Sequence, residues 1–191
     1  AAAVHAADRD GLVIGGNSLG TATDWWTQLA AAGGCSSLDV VSIHPYTGYN
    51  RSWEEDGMVG AIQTLKKLLA GCGAGDKPIW DTESGYWSDG PANFWAAGDD
   101  VARVLLAMRS LGISAWTYFI SEGGFGDAGD SYSLIQLNDY VKPAGLAFMT
   151  TSRLLAGRPA PTLEPTTIPS SYVLDFGPAS GGKTHLLAAW T

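Results

Sequence analysis

Apolar and polar positions along the chain switch between two periods, and turn residues punctuate each switch. Short apolar runs at 12–14, 38–46 (LDVVSIHPY), 78–83 (PIWDTE) and 113–120 (ISAWTYFI) read as strands. Segments of helical spacing separate them. Thr23 or Asp24 can cap a helix over 25–32. A second helix, 58–70, sets Ile62, Leu65 and Leu69 on one face, and a third, 94–111, does the same with Val101, Val104, Leu105, Met108 and Leu111. A fourth, 141–155, is ended by Gly157 and Pro159. The first strand is expected to stop at Gly15-Gly16-Asn17. Residues 1–7 read as the middle of an amphipathic helix. They carry no Met, no basic segment and no long apolar run, so they are not a signal peptide. The expectation is a processed chain or part of a longer product.

Strict strand–helix alternation argues for parallel strands covered by helices. Doubly wound sheets and β/α barrels both satisfy it. No GxGxxG or GxxxxGK[ST] follows a strand, which removes support for the nucleotide-binding versions and for a cofactor. The tail differs: 158–169 holds four prolines and reads as a linker. Residues 172–176 and 185–190 then alternate like two strands around a Gly-containing turn at 177–182. Two strands cannot bury a face alone, so this hairpin is expected to belong to a larger β-domain. The resulting division is 1–157 for the β/α part and 158–191 for linker and hairpin.

Composition narrows the partners. The chain is 46% hydrophobic and 16% charged, with net charge −8, which suits a folded core and argues against nucleic acid. No apolar run reaches the ~20 residues that span a bilayer. Eight Trp, seven Tyr and five Phe against eleven Lys and Arg suit a sugar ligand, although the same aromatics also serve a large core. No Cys/His cluster points to a metal.

In parallel β/α folds, chemistry gathers at the C-terminal ends of strands. Those ends carry His44, Pro45 and Tyr46, then the run from Asp81 to Trp87, then Trp116, Tyr118 and Glu122. Carboxylate, imidazole, phenol and indole therefore share one rim. Read from residues alone, His44 could serve as general base of some β/α enzyme, and Glu122 is expected to be merely solvated. Alternation puts Asp81 on the same side as Glu83, a second acid beneath it.

The ordered segments LDVVSIHPYTG, KPIWDTESGYW, ISAWTYF and YVKPAGLAFMTTSRLLAG resemble strands six, seven and eight and the last helix of clan A retaining glycoside hydrolases, family 39-like or family 5-like. That resemblance implies an α/β fold, a (β/α)8 barrel of which this chain supplies about the last four units (strands five to eight) and the start of a C-terminal β-domain. The seventh-strand pattern K-P-[IVL]-W-x-T-E-x-G falls on Lys77, Pro78, Ile79, Trp80, Thr82, Glu83 and Gly85, and makes Glu83 the nucleophile. His44 and Tyr46 match His-x-Tyr, with Tyr46 expected to hydrogen-bond Glu83 and His44 to meet sugar hydroxyls or hold that network. Trp116 matches the aromatic floor, and Tyr118, Trp87 and Asn17 are further expected substrate contacts. Trp25 and Trp26 are expected to pack the helix. Loops 53–57 and 123–131 are expected to flank the cleft.

The implied reaction is hydrolysis of β-linked poly- or oligosaccharides through a glycosyl-enzyme intermediate. Such enzymes take their acid/base Glu from an Asn-Glu at strand four, and this sequence has no Asn-Glu. The expectation is therefore a fragment, inactive alone, completed by an N-terminal half-barrel or a second copy of itself. The alternative is a non-catalytic carbohydrate-binding half. Cys35 and Cys72 precede strands six and seven and are expected to pair, two buried thiols being the alternative. A disulfide and a polysaccharide substrate would both suit secretion. The sequon Asn50-Arg51-Ser52 adds little.

Overall fold

The computed structural model describes residues 1–48, 51–88, 90–123 and 131–191. The sequon's Asn50 and most of the 123–131 loop lie outside the described residues. The order is α1 (Ala2–Ala7), β1 (Ile14–Leu19), α2 (Thr23–Ala31), a 3-10 turn (Gly34–Ser37), β2 (Val40–His44), α3 (Met58–Gly71), β3 (Ile79–Ser84), α4 (Pro91–Ser110), β4 (Ile113–Tyr118), α5 (Pro143–Leu155), β5 (Thr162–Leu163), β6 (Tyr172–Asp175) and β7 (Leu187–Trp190). Contacts divide these into two compact units. One is Ala1–Gly48, Trp53–Ser84 and Ile113–Tyr118; the other is Tyr49–Ser52, Gly85–Gly112 and Phe119–Thr191.

The first unit holds a four-stranded sheet in the order β1-β2-β3-β4, with each pair parallel. Sequential order in a parallel sheet is what an arc of a β/α barrel gives. β2 is buried at every position but His44, as a strand covered on both faces should be. On α3, Ile62, Leu65 and Leu69 are all buried, so the face read from the sequence is the one that packs. Each such side chain contributes about 1.5–3 kcal/mol.

The first strand needs correction. It begins at Ile14, where it was expected to end, and runs through Gly15, Gly16 and Asn17. The glycines are there for close approach rather than for a turn. A Cβ on Gly16, whose φ is +111°, would strike the Trp26 ring and the Ser42 carbonyl; one on Gly15 would strike Leu38. Asn17 takes up a left-handed φ of 43° inside a register shift against β2. Trp26 is wholly buried beside this strand and donates its indole N–H to Ser18 Oγ at 3.2 Å. The helix cap is also corrected: α2 starts at Thr23, behind a left-handed Ala22, with no side-chain cap.

Two cross-links tie the chain ends of these elements. The Asp39 carboxylate accepts the Val13 N–H at 2.7 Å and meets His5 Nε2 at 2.9 Å, fastening α1 and the entry to β1 onto the start of β2. Cys35 and Cys72 form a disulfide across 37 residues of sequence. Closing a loop of that length stabilises by up to about 4 kcal/mol on the chain-entropy model. The double variant Cys35→Ala/Cys72→Ala should therefore unfold at a urea concentration lower by about 2 M, at a slope of about 2 kcal/mol per M; an unchanged midpoint would show that the bond constrains nothing.

In the second unit α4 packs along α5. Gly98 permits the approach, since a Cβ there would meet Pro143 at 3.1 Å. Pro143 opens α5, where its missing N–H costs nothing. The tail was expected to be a linker plus hairpin, and the structure adds a strand. Thr162 and Leu163 pair antiparallel with Asp175 and Leu174, giving a three-stranded sheet β5-β6-β7. Leu155, Leu174 and Phe176 form its core, with Leu105, Leu106, Leu186, Ala188 and Trp190 against them. A third strand and two helices supply the apolar cover that a lone hairpin lacks. Arg158 donates Nη1 to the carbonyls of Gly177 and Thr184, and Arg109 donates Nη2 to the Arg158 carbonyl, so the proline-rich segment is anchored at its start. No described helix is long and apolar enough to cross a membrane.

Candidate active site

The site is built on the C-terminal ends of β2, β3 and β4. β2 stops because Pro45 follows His44. The Tyr46 N–H then bonds the His44 carbonyl at 2.9 Å, a three-residue turn around the proline. That turn aims the Tyr46 side chain at β3, where its hydroxyl donates to Glu83 Oε1 at 2.9 Å. Both residues are half-buried. The expected contact between Tyr46 and Glu83 is thus present.

β3 carries a bulge at the same place. Against β4, Asp81 pairs with Trp116 and Ser84 with Tyr118, so three steps on β3 match two on β4. One extra residue breaks the alternation of side chains and turns the strand end. The Asp81 Oδ1 accepts the Glu83 N–H at 3.1 Å. Asp81 Oδ2 accepts the Ser84 hydroxyl, and Ser84 Oγ in turn accepts the Trp116 indole N–H at 2.8 Å. Asp81 is wholly buried, whereas Glu83 keeps partial exposure.

Burial pushes the Asp81 carboxyl up from 3.8 to about 8. The Ser84 and Glu83 hydrogen bonds oppose that rise, and the Glu83 charge adds slightly to it. His44 lies elsewhere in the network, with Nε2 at 3.0 Å from Thr82 Oγ1, which also sits 2.5 Å from Ser42 Oγ. Ser42, Thr82 and His44 therefore form a polar cluster beside the Tyr46–Glu83 pair. Ser42 was not picked out from the sequence, and Thr82 and Ser84 were named there only as members of the strand-end run, without a role. Ser42 lies two residues before His44 on a strand, a period-two neighbour, whereas Ser84 directly follows Glu83 and alternation gives no signal for it.

Trp116 and Tyr118 sit together on β4, rings tilted by 57° with centroids 5.2 Å apart. Asn17 stands exposed on β1, two strands from Glu83. Trp87 belongs to the second unit, where it meets Tyr132 edge-on at 5.2 Å. Glu122 is exposed, as a solvated residue should be. The structure thus gathers Glu83, Tyr46, His44, Trp116 and Tyr118 within one unit and leaves Trp87 outside it.

No protein-family model matches this sequence, and no curated protein matches it either. Solved structures do. A family 39 glycoside hydrolase from Bacteroides cellulosilyticus WH2 superposes with a TM-score of 0.74 at 22% identity, over 98% of this chain and 42% of that one. A family 39 enzyme from Xanthomonas axonopodis pv. citri gives 0.59 at 20%, over 91% and 37%. A family 39 β-xylosidase from Caulobacter crescentus gives 0.56 at 19%, over 91% and 38%. The chain spans about two fifths of the length of these proteins. With its sequential parallel sheet, it has the fold of part of the (β/α)8 barrel that family 39 glycoside hydrolases share.

Proposed function

We propose that this chain is the nucleophile-bearing part of a retaining glycosidase that hydrolyses β-linked oligo- or polysaccharides. The observation that carries the reading is the Glu83 carboxylate held by the Tyr46 hydroxyl at the C-terminal end of a parallel strand. Two aromatic rings on the neighbouring strand and the glycoside hydrolases that share the fold support it. Glu83 attacks the anomeric carbon, and the glycosidic C–O bond breaks with its electron pair on the leaving oxygen. A general acid protonates that oxygen. Water then hydrolyses the glycosyl ester: its hydroxyl goes to the anomeric carbon, its proton goes to the conjugate base of that acid, and the Glu83 carboxylate is freed.

Tyr46 orients the nucleophile, Trp116 and Tyr118 stack on the sugar face, and His44 meets a sugar hydroxyl. Asn17 is the outlying contact. The acid/base Glu comes from a complementary half-barrel, either an N-terminal one or a second copy of this chain. The barrel part is 1–157 and the accessory part 158–191. Secretion fits the Cys35–Cys72 disulfide.

The test is intact mass after incubation with 2-deoxy-2-fluoro glycosides that bear activated leaving groups. Such groups depart without a proton, so the reaction does not need the missing acid. The expected result is one sugar added, mapped to Glu83. An adduct on another carboxyl would overturn the assignment. No adduct, together with saturable sugar binding that Trp116→Ala weakens, would make the chain a binding module.

A further inference from the structure

We propose that Asp81 is a positioning residue for both the nucleophile and the aromatic floor: its carboxyl caps the bulge that carries Glu83 and, through the Ser84 hydroxyl, holds the Trp116 indole. The functional side of this inference rests on the glycosidase reading above; its structural side does not.

The argument starts from the cost of burying a carboxyl. Asp81 has no exposed surface, and its two oxygens meet neutral donors, the Glu83 N–H and the Ser84 hydroxyl. An uncharged pair of donors offsets the loss of hydration only in part, and that is why burial dominates its proton affinity. Two residues earlier on the strand, Ile79 is buried at 4% exposure and apolar. An apolar residue at 81 would remove the cost of burying a carboxyl. A side chain that lowers stability where a cheaper one fits is expected at a functional constellation.

The geometry says what the carboxyl achieves. The extra residue between Asp81 and Ser84 takes the Glu83 N–H out of register with β4. Left without an acceptor, that N–H would cost on the order of 1–3 kcal/mol, and the bulge would relax. Asp81 Oδ1 supplies the acceptor and so fixes the backbone from which the Glu83 side chain departs. The other oxygen orients the Ser84 hydroxyl, whose lone pair then faces the Trp116 indole N–H. One side chain thus sets the spacing between the group that attacks and the ring on which the sugar rests. A misplacement of about 1 Å in such a pair costs on the order of 100-fold in rate.

The experiment reads the Trp116 indole N–H and the Glu83 amide by 15N NMR on the full chain, with Trp116→Phe assigning the indole signal. Ser84→Ala should shift the indole resonance and speed its exchange with solvent about tenfold, the factor that one ordinary hydrogen bond sustains, while leaving the Glu83 amide protected. Asp81→Ala should disturb both signals. Asp81→Asn, which keeps an acceptor oxygen, should restore the Glu83 amide. An indole resonance indifferent to Ser84→Ala overturns the inference even if Asp81→Ala fails to fold. Where the native chain is labelled on Glu83, Asp81→Ala should slow labelling at saturating reagent by about tenfold or more, with recovery in Asp81→Asn. Unchanged labelling by the Asp81→Ala protein would overturn the positioning role. A native chain that takes no label would count against the glycosidase reading alone, since the NMR arm still decides what Asp81 holds.

Discussion

With Glu83 as the proposed nucleophile, the Glu83→Gln protein should fold as the native chain does, bind sugar, and take no label from a 2-deoxy-2-fluoro glycoside. The substitution is close to isosteric and keeps an oxygen to accept the Tyr46 hydroxyl, so the bond at 2.9 Å survives and the circular dichroism spectrum stays unchanged. What is lost is the negative charge and the nucleophilic lone pair at the anomeric carbon. Removing a nucleophile that forms a covalent intermediate costs on the order of 10⁴-fold or more in the chemical step. Sugar affinity, assigned in the proposed function to Trp116, Tyr118 and His44, should change by less than about fivefold, since uniform binding is separable from covalent chemistry. Labelling rate and calorimetric affinity measured on the same preparation separate the two. Equal labelling of native and Glu83→Gln protein would remove Glu83 from the mechanism. A parallel loss of labelling and of binding would point to a binding carboxylate instead. Tyr46→Phe gives an intermediate case, because it keeps the carboxylate and removes only the group that aims it.

How far the sequence foretold this arrangement depends on the range of the interaction involved. α3 and the parallel strand order were legible because hydrophobic period and strand–helix alternation are local signals, and Ile62, Leu65 and Leu69 announce a face by themselves. β1 was misread because a glycine pair looks the same whether it makes a turn or lets Trp26 and Ser42 approach. β5 was hidden in a proline-rich stretch, since two residues become a strand only when Asp175 and Leu174 lie alongside. The contact between Tyr46 and Glu83 was foreseen from a resemblance in motif order. The link from Asp81 through Ser84 to Trp116 was not, and could not be from alternation. Period two assumes an unbroken ladder, and a bulge appears only when β3 is counted against β4.

Asp81 also gives the chain an unusual response to pH, and its direction separates a buried carboxyl from a paired one. In the unfolded chain Asp81 ionises at its ordinary 3.8; in the fold it does so at about 8. Between those values the unfolded state has released a proton that the folded state retains. Unfolding is therefore favoured as pH rises through this window, and stability falls until about pH 8, where both states are ionised. A difference of this size corresponds to about 6 kcal/mol as an upper bound, at about 1.4 kcal/mol per pKa unit. The groups whose carboxyls are held below 3.8, Asp39 by the Val13 N–H and His5 and Asp175 by the Gly177 N–H and His185, act only in more acidic solution, so their opposite slope does not overlap. On the flanking strands the titratable side chains are His44 and Tyr118, and Glu83 is the charge that acts directly on Asp81. Urea midpoints of the native chain should decline from pH 5 to pH 8. Those of Asp81→Asn should stay level across the same range, so that the variant is the more stable protein at pH 8 by a few kcal/mol. Parallel curves for the two proteins would mean that Asp81 ionises in the fold as it does in water, and that the cost assigned to its burial is absent. If Asp81→Asn is more stable while Asp81→Ala is slower to take label on Glu83, then the native carboxyl gives up stability at a position where an acceptor oxygen is needed for geometry at the site, the trade expected where a fold holds reacting groups in place.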